Sequence, residues 1–266
     1  MRFSLENVLK VELQQFRRVG PFSWTGERSL VLNIGGIRDQ IQSTGFVVEV
    51  ESEIVQMVQG ARAEYFIAML ALPVHAPRER FSPKKSEHHP WRKFTVGSAN
   101  GVGESYAQML QTTYFHERNV GTPYLTALFG VLICLRNRIL GIGEDFGSRP
   151  DRDDFWNACR IHHYPRGGSF MVEHNDTHFP QVLASADVPS LQVMALLSTK
   201  GVDFQTGGSF VVNREGNRTY LEDGCRLDAV VMFDGSIRHG VEDVDPDQVL
   251  DFNLSSGGIA AFVNLY

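Results

Sequence analysis

Residues 163–176 read HYPRGGSFMVEHND, and residues 230–241 read VVMFDGSIRHGV. Each stretch combines a short apolar run, typical of a β-strand, with turn residues and a histidine. His174 and Asp176 are two positions apart, and side chains two apart on an extended strand share a face. His239 follows a strand and a tight Asp-Gly turn. Two imidazoles and one carboxylate form a facial set of ligands that binds non-haem Fe(II) and leaves positions open. We therefore predict a metal site at His174, Asp176 and His239.

The chain on either side of these stretches differs in texture. After residue 150, short apolar runs are separated by turn residues, which is typical of an antiparallel sandwich or barrel. The first half is mixed and helix-rich, with no composition shift that indicates a linker. We predict one domain over residues 1–266, with a helix-rich part at 1–149 and the β core and metal site at 150–266.

The first half contains four patterns that predict individual elements. Ser4 is a plausible N-cap for a helix whose apolar spacing extends to Phe16. Residues 29–34 and 45–50 are rich in β-branched residues and predict strands. Residues 52–72 predict an amphipathic helix that Pro73 ends.

The sequence of residues 74–140 predicts a loop and two helices. Residues 74–103 contain many Pro, Lys, Ser and Gly and little periodicity, so we expect a long loop. Residues 104–119 predict a helix. Thr122 as N-cap and Pro123 in the first turn predict another helix that continues to about Leu140.

Composition excludes several classes of protein. The chain has 266 residues and a formal net charge of -6, and no Lys/Arg stripe that would neutralise phosphates, which argues against a nucleic-acid partner. Its three cysteines are scattered and odd in number, which argues against a disulfide framework and predicts reduced thiols. The N-terminal residues lack the apolar core of a secretory signal, and the longest apolar run, residues 127–135, is too short to span a bilayer. We expect a cytoplasmic protein with no membrane partner.

Several stretches together resemble the non-haem iron, 2-oxoglutarate-dependent oxygenases, and within them the isopenicillin N synthase-like branch. TGFVVEV at 44–50, followed by a helix ending in MLALP at 69–73, resembles the family's N-terminal segment. The helix from Tyr124 through ILGIGEDFG resembles the long helix before the family's barrel. The two stretches quoted first resemble the strands that carry the family's HxD pair and its distal histidine.

This resemblance implies an α+β fold with a double-stranded β-helix (jelly roll) core and N-terminal helices packed on it. It also implies that His174, Asp176 and His239 bind iron, and that the protein is an Fe(II) dioxygenase that uses O2 and 2-oxoglutarate to hydroxylate or desaturate a small organic molecule. Tyr164 matches a family tyrosine that often hydrogen-bonds the cosubstrate. An aspartate at position 176 disfavours a halogenase, which has a small residue there.

One feature departs from the family pattern. The family places an arginine on a late strand, after the distal histidine, to pair with the distal carboxylate of 2-oxoglutarate. Residues 240–266 contain no Arg or Lys. Arg160 is the first candidate replacement, because Arg160, His162 and Tyr164 alternate onto one strand face. Lys200 and Arg238 are weaker candidates.

Other residues and functions stay open at this point. His178 and His162 are weaker candidates for contacts to substrate or around the metal, as is Arg238 beside His239. Glu173 precedes His174 and is expected on the opposite face. Because the late arginine is missing, a same-fold iron oxidase that does not use 2-oxoglutarate is an alternative. A non-catalytic, cupin-like metal-binding protein is another, and a fourth protein ligand such as His178 would favour it.

Overall fold

The computed structural model describes residues 8–12, 29–50, 54–75, 83–86, 89–95, 98–99, 105–108, 110–116, 122–149, 153, 155–176, 190–227, 229–250 and 256–265. The helices are α1 (Ile34–Thr44), α2 (Val55–Ala71), α3 (Pro83–Ser86) and α4 (Pro123–Leu140). The strands of the first half are β1 (Val8–Glu12), β2 (Ser29–Asn33), β3 (Phe46–Val50), β4 (Val74–His75), β5 (Trp91–Thr95), β6 (Ser98–Ala99), β7 (Ser105–Gln108) and β8 (Leu110–Phe115). The strands of the second half are β9 (Asn157–Tyr164), β10 (Ser169–His174), β11 (Leu191–Leu196), β12 (Gly208–Val212), β13 (Arg218–Tyr220), β14 (Ala229–Asp234), β15 (His239–Val244) and β16 (Gly258–Leu265).

The second half of the chain builds two antiparallel four-stranded layers. One has the order β14-β11-β16-β9, and the other has the order β13-β12-β15-β10. Apart from the β12–β13 hairpin, consecutive strands alternate between the layers. This is the double-stranded β-helix, or jelly roll, and the expected fold class is confirmed.

Strands from the first half extend both layers. β3 pairs with β14 at one edge of the first layer, and β8, β5 and β4 continue that layer beyond β9. β7 and β6 continue the second layer beyond β10. β1 and β2 form a separate antiparallel pair. The sheets therefore extend well beyond residues 150–266, although the eight strands of the jelly roll lie there.

The helices cover the outer face of the larger sheet. Along β11, Val193 and Ala195 belong to a core shared with the helices, whereas Met194 and Leu196 belong to a second core on the inner face. This alternation follows from the pleat of the strand, which sends successive side chains to opposite faces. The sheet is consequently buried on both sides, and its inner face borders the space between the two layers.

Helix α4 is the central helix of this outer layer. By length and composition it is apolar enough to cross a membrane, but most of it is buried inside the fold. It packs against α2 and against strands β11 and β16. The Glu64 carboxylate on α2 accepts hydrogen bonds from the backbone N–H groups of Tyr124 and Leu125, at 2.9 and 2.8 Å. A neighbouring helix thus satisfies the N-terminal donors that the first turn leaves unpaired.

The structure confirms some predicted elements of the first half. The strand predicted at 45–50 is β3, and the strand predicted at 29–34 is β2. The helix predicted at 52–72 is α2, which ends at Ala71, two residues before Pro73. The helix predicted after Thr122 is α4, which ends at Gly141 in the left-handed conformation.

Three other predictions for the first half are wrong, and one helix was not predicted. Residues 105–108 and 110–115 are strands β7 and β8, where a helix was predicted. The predicted loop contains β4, α3, β5 and β6. The part of the predicted N-terminal helix that the structure describes is strand β1. Helix α1 was missed, since two glycines in its first turn weaken the helical pattern.

Candidate metal centre

His174 and His239 lie directly opposite each other on neighbouring antiparallel strands. His174 is the last residue of β10 and His239 is the first residue of β15, and the two are register partners. Their ring centroids are 4.3 Å apart. Strand pairing alone therefore brings together two imidazoles that are 65 positions apart in the sequence.

A backbone hydrogen bond fixes the orientation of each ring. The Nδ1–H of His174 donates to the carbonyl of Val172 at 2.8 Å, and the Nδ1–H of His239 donates to the carbonyl of Ile237 at 2.9 Å. With the proton at Nδ1, each Nε2 carries the lone pair. Bonds of this kind set the tautomer and the direction of metal-binding imidazoles.

The Asp176 carboxylate faces both Nε2 atoms. Asp176 lies two residues beyond the end of β10, and its backbone N–H donates to the carbonyl of Gly235 at 3.0 Å. Oδ1 lies 3.9 Å from Nε2 of His174, and Oδ2 lies 3.9 Å from Nε2 of His239. The three donor atoms lie within 4.8 Å of one another. The two-residue spacing between His174 and Asp176 thus brings their side chains to the same side, as the sequence predicts.

The donor set fits Fe(II). Burial lowers the pKa of His174, and the neighbouring His239 lowers it further, which keeps this imidazole neutral and available as a ligand. Two imidazoles and one carboxylate on one side of an ion match the facial arrangement of non-haem iron sites. Among the described residues, no fourth His, Cys, Asp or Glu belongs to this group of three.

The residues next to the two histidines face outward. Glu173 pairs with Arg238 at 2.7 Å and with Arg218 at 2.9 Å, so this carboxylate points away from the triad, as predicted. Arg238 is thereby engaged on the exterior and does not line the cavity described below. Lys200 pairs with Asp223 at 2.7 Å and also lies outside the cavity.

The triad opens into a cavity of about 240 Å³ between the two sheets. Arg160, His162 and Tyr164 all line it from β9, which is the shared face that their alternation predicts. His163 points the other way, towards the helices. Its Nδ1 lies 3.1 Å from the hydroxyl of Tyr65.

Sequence reasoning missed four polar residues at or behind this cavity. Thr112 and Tyr114 line it from β8, where they are the register partners of His162 and Arg160. They were missed because a helix was predicted at this point. Gln192 lines it from β11, and Asn264 on β16 lies against Gln192. The sequence signal for Gln192 and Asn264 is an amide within an otherwise apolar strand, because an amide buried there requires hydrogen-bond partners.

The start of β16, where the family's arginine is expected, is occupied by glycines. Gly257 has φ +115°, and a Cβ built on it would lie 2.2 Å from the carbonyl oxygen of Tyr164. The backbone here is too close to β9 for any side chain at position 257. His178, the other candidate from the sequence, lies outside the described residues.

Comparisons with known proteins give fold-level likenesses. A prolyl-4-hydroxylase from Pseudomonas putida aligns with 87% of this chain and 97% of its own, at TM-score 0.54 and 14% identity. A Trichoplax adhaerens prolyl hydroxylase, solved with a hypoxia inducible factor peptide fragment, aligns with 96% of this chain and 91% of its own, at TM-score 0.54 and 11% identity. No protein-family model matches the chain, and no curated protein matches it by sequence. The chain thus shares the fold of these hydroxylases, and the isopenicillin N synthase-like branch stays a prediction.

Proposed function

We propose that this protein is an Fe(II)-dependent oxygenase that hydroxylates or desaturates a small organic molecule with O2 and 2-oxoglutarate. The observation that carries the proposal is the convergence of His174, Asp176 and His239 at a cavity that also contains Arg160. In hydroxylation, substrate, O2 and 2-oxoglutarate give the alcohol, succinate and CO2. In desaturation, the same reactants give the alkene, succinate, CO2 and water.

His174, Asp176 and His239 would hold the iron. Bound Fe(II) supplies the activation of O2 and the coordination of the 2-oxoacid group. The protein supplies the orientation of the ligands, through the two Nδ1–H bonds, and a cavity between the two sheets.

Arg160 is the residue best placed to bind the distal carboxylate of the cosubstrate. It is the one Lys or Arg among the described residues that line the cavity. A divalent ion on one carboxylate keeps excess positive charge, and Arg160 adds to it, so a dianionic ligand fits the cavity electrostatically. Burial and the neighbouring Arg160 hold the pKa of His162 well below its usual range, so His162 adds no charge. Tyr164, on the same face, is a second polar contact for the cosubstrate.

The remaining cavity wall supports a small, largely apolar substrate. Met171, Met194, Phe210, Leu221 and Phe233 all contribute to it. A cavity of this size has room for the cosubstrate and a compact organic group. We propose that His162 contacts the substrate; His178, which lies outside the described residues, is a second candidate from the sequence. None of the three cysteines, all of which lie in the described part of the chain, forms a disulfide, which fits the reduced cytoplasmic environment that we propose.

Anaerobic titration with Fe(II) and 2-oxoglutarate tests the proposal. We expect the weak visible charge-transfer band of the iron–2-oxoacid chelate with the wild-type protein, and its loss in His174→Ala and Asp176→Ala. Arg138→Met is the matched control, since this exposed arginine pairs with Glu144 far from the cavity. Admission of O2 should then produce succinate. Unchanged iron binding in both ligand variants would contradict the proposal.

The missing late arginine favours a second candidate, an iron oxidase of the same fold that takes all its electrons from the substrate. The observation behind it is that residues 240–266 contain neither Arg nor Lys. The same titration separates the two candidates. Iron binding without the chelate band, and substrate-dependent O2 consumption without 2-oxoglutarate, would establish the second. Iron binding without O2 consumption under any condition would instead support a non-catalytic metal-binding protein.

A further inference from the structure

Two buried amides lie directly behind the Asp176 carboxylate. Gln192 on β11 is 4% exposed and Asn264 on β16 is 2% exposed, and both interrupt strands that are otherwise largely apolar. The Gln192 Nε2 donates to Oδ2 of Asp176 at 2.8 Å. A side chain outside the ligand group thus holds one oxygen of the metal-binding carboxylate.

Asn264 holds the Gln192 amide in turn. Val193 and Val263 are register partners, so Gln192 and Asn264 face each other one position along the same two strands. With the Asn264 amide oriented so that Oδ1 faces Arg160, its Nδ2 donates to Oε1 of Gln192 at 2.9 Å, and its Oδ1 lies 3.1 Å from Nε2 and 2.6 Å from Oε1 of Gln192. The Oε1 of Gln192 is thus directed at Asn264, and its NH2 group is directed at Asp176.

Asn264 also reaches Arg160. On β16, Phe262 is the register partner of Arg160, which makes Asn264 its diagonal neighbour on the cavity side. Oδ1 of Asn264 accepts a hydrogen bond from Nη2 of Arg160 at 2.9 Å. A continuous chain of hydrogen bonds therefore runs from Asp176 through Gln192 and Asn264 to the Arg160 guanidinium.

We propose that Gln192 and Asn264 are positioning residues that couple the metal ligand Asp176 to the anion-binding residue Arg160. Gln192 orients the carboxylate towards the metal, and Asn264 sets both the Gln192 amide and the Arg160 guanidinium. The part of this proposal that concerns Gln192 and Asp176 depends only on metal binding. The part that concerns Asn264 and Arg160 rests on the proposed function. Such outer contacts typically govern metal affinity by about 10- to 100-fold.

The first test measures Mn(II) affinity without cosubstrate, by electron paramagnetic resonance. Gln192→Leu and the volume-conserving Gln192→Met both remove the donor to Asp176, and thermal unfolding verifies that each variant folds. We expect each to bind Mn(II) about 10- to 100-fold more weakly than the wild type. Gln111→Leu is the matched control, because Gln111 is a fully buried glutamine of the same sheet that does not line the cavity. Its Mn(II) affinity should stay within about twofold of the wild type.

The second test uses double-mutant cycles on Asn264. In Asn264→Leu we expect 2-oxoglutarate affinity, measured by calorimetry at saturating Mn(II), to fall about threefold or more. If Asn264 acts through Arg160, the same change should have no effect on 2-oxoglutarate affinity in Arg160→Met. If Asn264 acts through Gln192, Asn264→Leu should have no further effect on Mn(II) affinity in the Gln192→Leu variant. A merely structural role would give additive effects in both cycles.

The outcomes separate this inference from the proposed function. Folded Gln192 and Asn264 variants that match the wild type in both affinities would overturn the coupling while the metal centre stands. Wild-type protein that binds Mn(II) but not 2-oxoglutarate would overturn the part that concerns Asn264 and Arg160 and leave the part that concerns Gln192 and Asp176 to the first test. Mn(II) binding that survives in His174→Ala would overturn the metal centre itself.

Discussion

Tyr114 on β8 lies directly opposite Arg160 on β9, and both side chains line the cavity beside the metal centre. On its other side, Arg160 faces Phe262 on β16, whose ring centroid is 5.9 Å from the guanidinium carbon. Arg160 therefore lies between two aromatic residues of the neighbouring strands, with its guanidinium near the Phe262 ring and in contact with Asn264. A guanidinium with these neighbours loses less conformational freedom when it binds a carboxylate.

Replacement of Arg160 should therefore act on the cosubstrate and not on the metal. We expect Arg160→Met to weaken 2-oxoglutarate binding by about 30-fold or more, because loss of one partner from a buried charge pair costs about 2 to 5 kcal/mol. Arg160→Lys should recover part of the loss, since lysine keeps the charge but not the bidentate geometry. Calorimetry at saturating Mn(II) measures both variants, with Arg138→Met as control. Equal affinity in Arg160→Met and wild type would show that another group binds the distal carboxylate.

The convergence of His174 and Asp176 could be predicted because its geometry is local. A spacing of two on a strand places His174 and Asp176 on one face whatever the rest of the fold does. The pairing of His239 with His174 depends on sheet topology, and the resemblance to a known family supplied that. The outward direction of Glu173 followed from the same alternation.

Strand β8 could not be predicted from its own residues. Ala107, Leu110 and Tyr114 recur three and four positions apart, which is the spacing of a helix face. Pairing with β5 on one side and β9 on the other overrides that local pattern, since residues 111–114 find hydrogen-bond partners on both neighbouring strands. Thr112 and Tyr114 line the cavity because of that pairing.

The contacts between Gln192, Asn264 and Arg160 depend on the register of three strands. A shift of one residue in either pairing would turn one of the three side chains to the helix side of the sheet. The sequence shows two buried-strand amides, but the register that joins them is a property of the assembled sheet.

Gly257 provides a test of the close approach between β16 and β9. We expect Gly257→Ala to destabilise the protein by roughly 2 kcal/mol or more, because alanine adds both a strained positive φ and a Cβ 2.2 Å from the Tyr164 carbonyl oxygen. Gly216→Ala is the matched control. Its φ is +89°, but a Cβ there meets nothing within 4 Å, so only the backbone strain should remain. Chemical denaturation of both variants measures the difference, and equal losses would show that the clash relaxes without cost.

Glu222 is a buried carboxyl group beside the cavity strand β12. Its Oε1 accepts a hydrogen bond from the backbone N–H of Ser209 at 3.0 Å. Its Oε2 is buried and has no hydrogen-bond partner in the described part of the chain. Burial raises the pKa of Glu222 to about 7, from an ordinary value of 4.5, against the opposing hydrogen bonds from Ser209. The folded protein therefore holds a proton that the unfolded chain releases at a lower pH.

This difference gives the stability of the protein a predictable pH dependence. The contribution of protonated Glu222 to the free energy of unfolding is complete below about pH 4.5 and is lost as the pH rises towards 7. In that range the Glu222 carboxyl ionises freely only in the unfolded chain. Glu222→Gln keeps an acceptor for Ser209 and cannot ionise, so it should be more stable than the wild type at pH 8 and gain less, or nothing, at pH 5. Glu215→Gln, on the exposed 213–217 turn, should follow the wild type at both values. Urea midpoints at pH 5 and pH 8 measure the effect. A Glu222→Gln variant whose stability relative to the wild type is the same at both values would mean that Glu222 ionises in the folded protein as readily as in the unfolded chain.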